Sequence, residues 1–438
     1  MGDPKQNGKT AIGDRRQVVV VGGGQAGLAM SYCLKQHGID HVVLEKHTVA
    51  HEWRQRRWDS FCLVTPNWQC RLPGHPYRGP EPTGFMAREA IVQYVLDYVR
   101  SFQPPLFEGV AVTGLRAHQA GGFLLETSAG PCHADQVVVA TGGYHTPQIP
   151  RLSERISDDI VQIHSSAYRR PEALPPGDVL VVGSGQSGCQ IAEDLHIAGR
   201  RVHLSVGSAP RTARRYRGRD VVEWLEQMGY YTLPVEEHPL KERVRAKANH
   251  YVTGRDGGRD IDLRQRALEG MRLYGRLLSA GPGRLTFGDD LTRNLDAADA
   301  VCESIKTTID NFIAKENIDA PTEPRYVPVW KPSDEPDALD LIGQGVSSII
   351  WSTGFRTDYR WIDVPVFNGS GYPVHHRGVT AAFGLYFIGL PWLHTWGSGR
   401  FSGVGTDATY LADQIQRRLQ KTSPPSDAWP PNELALGS

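Results

Sequence analysis

No two cysteines of this chain stand close enough in sequence to act as a redox pair. The six (Cys33, Cys62, Cys70, Cys132, Cys189 and Cys302) are scattered, and the nearest two, Cys62 and Cys70, are eight apart. Without a CxxC or CxxxxC the usual dithiol chemistry is excluded, and without clustered Cys/His spacing so is a structural zinc site. His375 and His376 have no carboxylate or cysteine partner at ligand spacing; they read as loop histidines, and no metal is expected. Scattered thiols suit a reducing, cytoplasmic setting. No apolar run approaches the roughly 18 residues needed to cross a bilayer. The polar, mixed-charge stretch 1–15 reads as a disordered lead, not a signal peptide. Nor is there an excess of charge: 48 basic side chains balance 48 acidic ones, so neither a membrane surface nor nucleic acid is expected as a partner.

What the chain does have is one pattern twice. Val18-Val19-Val20-Val21 run into Gly22, Gly24 and Gly27; Val179-Leu180-Val181-Val182 run into Gly183, Gly185 and Gly188. A short, wholly apolar run reads as a buried parallel strand. The glycines after it allow a tight turn, close backbone approach to a pyrophosphate and close packing of helix on sheet. The helix that follows points its free N–H groups and positive dipole end at the phosphates. In the first copy a helix over 25–37 is expected, stopped by Gly38, then a strand over 41–45 with Glu45 at its tip. An acid there, a little over twenty residues past the first glycine, accepts hydrogen bonds from an adenosine ribose.

The second copy differs at that tip. After a helix over 186–198, the strand Arg201-Val202-His203-Leu204 ends at Ser205 instead of an acid, with Arg211, Arg214 and Arg215 soon after. A missing carboxylate beside arginines favours a 2′-phosphate, hence NADPH over NADH. The same arginines could also form a solvated surface, and spacing does not say which of them meets the phosphate. Two dinucleotide sites in one chain suit electron transfer from one nucleotide to the other.

The repeat also sets the organisation. The fold expected is α/β with two Rossmann-like domains, the second inserted into the first: 16–150, then 151–358, then 359–438. Val137-Val138-Val139-Ala140 ends at the corner Thr141-Gly142-Gly143, and Ile349-Ile350-Trp351-Ser352 at Thr353-Gly354; at such corners the chain can cross between domains. A helical insertion is expected over 211–280, with helices near 221–228, 240–248 and 263–278, and an insertion this long is often a lid or pocket wall. A strand over 284–287, a helix faced by Val301, Ile305, Ile309 and Phe312, and a closing helix over 405–419 complete the reading.

Taken together, the two glycine turns, the two Thr-Gly corners and His164-Ser165-Ser166-Ala167-Tyr168 resemble the class B flavin-dependent monooxygenases, the group of flavin-containing monooxygenases and YUCCA-type enzymes. The last segment is similar to the end of the fingerprint FxGxxxHSxxY, although Asp158 and Ile160 stand where phenylalanine and glycine belong. Arg56 to Phe61, Thr65 to Trp68 and Gly397 to Gly403 look closest to a bacterial branch of FAD oxidoreductases.

The resemblance implies FAD on the first turn (Gly22, Gly24, Gln25, Ala26, Gly27, Glu45, Lys46), bordered by Trp53, Arg54, Thr65, Ala140, Thr141, Gly142 and the helix starting near Gly405. It implies NADPH on the second (Gly183, Ser184, Gly185, Gln186, Ser187, Gly188, Ser205), with His164, Tyr168, Thr353 and Gly354 between them. Asn67 is the candidate catalytic residue, a neutral hydrogen-bonding side chain near the flavin, or else a turn asparagine ahead of Trp68. The implied reaction forms a C4a-hydroperoxyflavin with O2 and oxygenates a small amine or sulfide. The closing tyrosine Tyr168, in place of tryptophan, favours heteroatom oxygenation over ketone insertion. An NADPH-dependent reductase that inserts no oxygen and a non-catalytic redox sensor remain alternatives, and a homodimer is compatible with all of these.

Overall fold

Residues 15–420 are described in a computed structural model of the chain; the expected lead falls outside them, save for Arg15, which opens the first strand. Strand β1 (Arg15–Val21) leads into helix α1 (Gln25–Gln36) and strand β2 (His41–Glu45). Short helix α2 (His51–Gln55), helix α3 (Arg88–Phe102) and strand β3 (Leu106–Glu108) follow, then strands β4 (Val112–Ala117), β5 (Phe123–Thr127) and β6 (Cys132–Val139). Strands β3, β2, β1 and β6 are parallel neighbours, and β5 and β4 continue the sheet antiparallel. The valine run of β1 is apolar throughout because both its faces are covered. Val18 and Val20 pack into the core that holds α1 and α3, while Val19 and Val21 meet Leu115, Phe123 and Leu125.

The second unit repeats this plan. It contains strands β7 (Val161–His164) and β8 (Asp178–Val182), helix α4 (Gln186–Ile197), strand β9 (Val202–Ser205), helix α5 (Val221–Gln227), helix α6 (Leu263–Leu268) and strand β10 (Arg272–Tyr274). Strands β11 (Leu277–Ala280) and β12 (Arg284–Phe287), helix α7 (Leu291–Lys315), and strands β13 (Ala338–Asp340) and β14 (Val346–Trp351) complete it. A parallel sheet in the order β7-β14-β8-β9-β10 lies between two layers. Val179 and Val181 face α4 and α7, and Leu180 and Val182 face the antiparallel sheet β11-β12-β13. The chain then returns to the first sheet with strands β15 (Ile362–Asp363) and β16 (Leu385–Phe387), and ends in helix α8 (Val404–Gln420).

The insertion is less helical than its sequence suggested. The helix expected over 263–278 stops at Leu268, and Arg272–Tyr274 instead joins the parallel sheet as its edge strand beside β9. Gly270 and Gly275 explain the change: Gly270 has φ +103°, and a Cβ on Gly275 would lie 2.1 Å from the Gly288 carbonyl oxygen. The helix expected over 240–248 is only a 3₁₀ segment, Lys241–Ala246.

The two Thr-Gly corners form one hinge. Beyond them, Thr146–Pro147 and Phe355–Arg356 pair antiparallel as the chain crosses and recrosses. Gln148 N donates to Gly354 O at 2.9 Å, and the Thr353 hydroxyl donates back to Gln148 O.

The glycines of the repeat divide into two kinds, which yields a paired prediction. A Cβ on Gly188 would sit 1.8 Å from the Gly183 carbonyl oxygen, whereas one on Gly185, at φ −69°, would meet nothing within 4 Å. Gly188→Ala should therefore lower unfolding stability by about 1–3 kcal/mol, the usual cost of overpacking, and Gly185→Ala should not. Urea-unfolding midpoints of the two variants check this; equal midpoints would contradict it.

Candidate active site

One cavity of about 1260 Å³ begins at the first glycine turn and reaches the insertion. At its first end lie Gly22, Gly24, Gln25, Ala26, Glu45 and Lys46, opposite Ala140, Thr141 and Gly142. No side chain caps α1 at Gly24, and a Cβ there would meet nothing, so the helix N–H groups open into the cavity. Glu45 is held by two backbone donors, Gly23 N at 2.7 Å and His47 N at 2.8 Å, which leaves carboxylate lone pairs for a ribose. The Thr141 hydroxyl is buried without a partner. Uncapped donors, an oriented carboxylate and an unpartnered hydroxyl fit an adenosine diphosphate group. Gly27 serves the same end from behind: its missing Cβ lets α1 reach the Gly22 carbonyl.

Next along the cavity come Trp53, Arg56, Arg57 and Thr65. Arg54, the arginine expected here, is exposed and outside the lining. On helix α2 it points about 100° away from Trp53, whereas Arg57, two residues past the end of that helix, lines the cavity. Its guanidinium lies 5.3 Å from the Trp53 ring centroid.

Asn67 has a different task from the catalytic one expected. It is buried, its Oδ1 accepts from Met86 N at 2.7 Å, and its Nδ2 donates to Glu81 O at 2.9 Å. With both ends of the carboxamide engaged it ties two loop segments together, and it does not line the cavity. Gly405 is likewise a packing residue, since a Cβ there would press within 2.9 Å of Pro73 Cγ.

The second turn is built like the first. Helix α4 starts at Gly185 with no side-chain cap, and the buried Ser184 hydroxyl accepts from Gly207 N at 2.9 Å, fixing the loop after β9. Ser205 donates to Gly275 O at 3.0 Å, Ser187 is exposed, and Gln186 reaches the cavity while donating to Val252 O at 2.6 Å. His164 bridges to the hinge: Nε2 donates to Gly354 O at 2.9 Å and Nδ1 accepts from the Ser166 hydroxyl at 2.9 Å. These bonds select the Nε2–H tautomer, and burial pushes the His164 pKa down. Tyr168 donates to Asp194 Oδ2 at 2.7 Å. Neither lines the cavity; like Thr353 and Gly354, they hold its frame.

The arginines expected to read a 2′-phosphate do other work. Arg211 is buried against Asp299 and lies 4.2 Å from the Tyr326 ring centroid. Arg214 is buried, pairs with Asp220 at 3.0 Å and donates to Val64 O at 2.7 Å. Each anchors donors inside the protein, although Arg211 Nη2 and Arg214 Nε are buried without a hydrogen-bond partner and Arg214 lines the cavity; only Arg215 of the three is exposed.

The far wall comes from the insertion and its neighbours: Val222, Leu225, Tyr230, Tyr231, Asn249 and His250, with Ile305 of α7 and with Trp396 and Arg400 ahead of α8. Trp396 and Arg400, which the sequence places just ahead of the closing helix on the candidate substrate side, are in this lining together with Tyr230 and Tyr231; nothing in the sequence marked Asn249 as their neighbour. Behind this wall Asp407, in the first turn of α8, is buried 3.7 Å from the Arg377 guanidinium, and burial raises its pKa to about 6.

A doubled dinucleotide fold, with the first turn and Gln186 of the second lining one cavity, is that of an oxidoreductase that uses a flavin and a pyridine nucleotide. The chain belongs to the pyridine nucleotide-disulphide oxidoreductase family, whose pattern matches residues 19–254, and within it to the class B flavin monooxygenases. The uncharacterized oxidoreductase CzcO-like of Geobacillus kaustophilus is 33% identical over 402 residues, 91% of this chain and 97% of that protein. Rice indole-3-pyruvate monooxygenase YUCCA1 is 31% identical over 242 residues, 55% of this chain and 59% of its own. The flavin-containing monooxygenase of Stenotrophomonas maltophilia shares the fold, with a TM-score of 0.63 at 19% identity over 93% of this chain and 99% of that one. Among the described residues no helix is long and apolar enough to cross a membrane, and no His/Cys/Asp/Glu group is placed to hold a metal.

Two predictions follow from these side chains. Asn67→Ala leaves the Met86 N–H buried and unpaired, so it should cost about 1–3 kcal/mol of stability; bound flavin per folded protein, read from the visible spectrum, should stay unchanged. Asp407 has a folded-state pKa of about 6, above its unfolded value, so its contribution to stability is full below about pH 4 and is lost as pH rises through about 6. Asp407→Asn should therefore raise the Tm at pH 8 and leave it unchanged near pH 4.

Proposed function

We propose that this chain is an FAD-containing, NADPH-dependent monooxygenase. It passes one atom of dioxygen to a small nucleophilic substrate and releases the other as water, with two electrons drawn from NADPH. The observation that carries this reading is the single cavity that joins the first glycine turn, Gln186 of the second turn and the apolar wall of the insertion. A chamber shared by both nucleotides and closed by aromatic side chains suits a reaction that must keep water from a reactive oxidant. FAD, when bound, supplies the hydride acceptance and the oxygen activation.

The chain's own residues bind, orient and exclude. The open N–H groups of α1 and the Glu45 carboxylate hold the flavin's adenosine diphosphate, and those at the start of α4 hold that of NADPH. Arg276 is our candidate for the 2′-phosphate contact. It lies two residues past the tip of β10, beside the tip of β9; it is exposed, its backbone N donates to Asp290 Oδ1, and its charge acts on that carboxylate without a side-chain ion pair among the described residues. Trp53, Tyr231 and Trp396 shut water out.

The test is anaerobic reduction of the purified yellow protein by NADPH, followed by mixing with labelled dioxygen and a panel of candidate substrates. Label in an organic product, at one NADPH per atom inserted, is the expected result. Hydrogen peroxide in step with NADPH across the whole panel would make the protein an oxidase or reductase instead. Arg276→Ala should weaken NADP+ binding and leave NAD+ binding as it was.

A further inference from the structure

Five arginines line the cavity, and three of them are neutralised where they stand: Arg56 by Glu52 at 3.3 Å, Arg214 by Asp220 at 3.0 Å and Arg360 by Asp358 at 2.6 Å. Arg57 and Arg400 have no carboxylate within 4.0 Å among the described residues, and burial pushes both guanidinium pKa values down. Both are half-buried, and an unpaired cation in a partly desolvated wall costs free energy.

Arg400 is nonetheless held in place. It donates through Nη1 to Trp396 O and through Nη2 to Asn249 Oδ1 at 2.8 Å, and its guanidinium stacks 3.6 Å from the Trp396 ring centroid. Two of its five N–H groups are thus engaged, and the rest of the fork is free for a planar acceptor. The acids on the cavity, Glu45, Glu52 and Asp358, all lie toward the flavin's adenosine end or are already ion-paired, and none comes from the insertion wall. Around Arg400 the lining is apolar and aromatic: Tyr230, Tyr231, Trp396 and Val222.

We propose that Arg400, oriented by Asn249 and Trp396, is the subsite for an anionic group, and that the substrate is an apolar or aromatic carboxylate. This rests on the reading of the cavity as the substrate chamber. It narrows that reading, because a protonated amine entering this lobe would meet guanidinium groups and no counter-charge. An anionic group could also reach Arg400 as a phosphate of the pyridine nucleotide, and the experiment separates the two sources.

Binding to the flavin-loaded, oxidised protein is followed by tryptophan fluorescence and the visible spectrum, without NADPH or turnover. The probes are benzoate, phenylacetate and hydrocinnamate, each against its neutral amide, with NADP+ titrated separately. At least one acid is expected to bind about tenfold or more tighter than its amide, the range for a charge-assisted hydrogen bond. Arg400→Met should abolish that preference while leaving the amide and NADP+ affinities unchanged, and Arg400→Lys should restore part of it. Acid and amide binding alike in the wild type, no binding by any acid of the panel, or a matching loss of NADP+ affinity in Arg400→Met would each overturn the proposal. Because no oxygen transfer is read, failure of the monooxygenase reaction would not by itself remove the subsite, and loss of the subsite would not by itself remove the reaction.

Discussion

The carbonyl oxygens of Gly22 and Gly183 lie so close beneath helices α1 and α4 that a Cβ on Gly27 or Gly188 would be only 1.8 Å away. That approach fixes each helix directly past the end of a buried strand, with its first N–H groups uncapped and aimed outward. Gly22 and Gly183, at φ +109° and +104°, make the turn that permits it. Everything downstream inherits this geometry: the tip of β2 arrives where Glu45 can be gripped by Gly23 N, and the tip of β9 where Ser205 meets Gly275. A side chain at either close contact would lift the helix off its sheet and spoil the anion cradle together with the packing.

Two such units make one site only if they are held face to face, and the contacts between them are apolar, as where Trp58 packs into the second unit's core, as well as charged or hydrogen-bonded. Asp194 on α4 accepts from Ser60 at 2.6 Å, Tyr168 at 2.7 Å and Arg255 at 2.7 Å, tying a loop of the first unit to the second. Arg214 reaches from the insertion to Val64 O, and Arg71 pairs with Glu226 of α5 at 2.7 Å. Buried carboxylates with several donors are strongly directional. Of the arginines that looked like phosphate readers in the sequence, Arg214 braces Asp220 and reaches the first unit at Val64 O, and Arg211 pairs with Asp299 inside the second unit.

Much of the frame was legible because it is local. The valine runs, the glycine spacing, Glu45 at a strand tip and the helix of Val301, Ile305, Ile309 and Phe312 are all patterns over a few residues, and each emerged where its period put it. What escaped depended on partners distant in sequence. Asn67 has the residue type of a polar active-site group, yet Met86 N and Glu81 O, far along the chain, claim its carboxamide. Arg54 and Arg57 are indistinguishable by composition, yet Arg54 is exposed on α2 and Arg57, past the helix end at Gln55, lines the cavity. The 263–278 segment carries helical periodicity, but its glycines and a vacant sheet edge beside β9 made a strand of its second half. Asn249 meets Arg400 across 151 residues, and nothing in its own neighbourhood marked it.

The family's name joins pyridine nucleotides to disulphides, and this chain keeps the first half without the machinery of the second. All six cysteines are free and buried. Burial raises the thiol pKa of Cys33, Cys62, Cys189 and Cys302, and that of Cys70 to about 12, so none of these is poised as a thiolate. Electrons brought in by a pyridine nucleotide then have no dithiol to leave through. What the chain offers instead is the cavity, whose insertion side is lined by Tyr230, Tyr231, Trp396 and Arg400. Among the described residues the insertion side of the cavity carries no carboxylate and no thiol, so what distinguishes this chain within its family is the polar groups that this wall lacks.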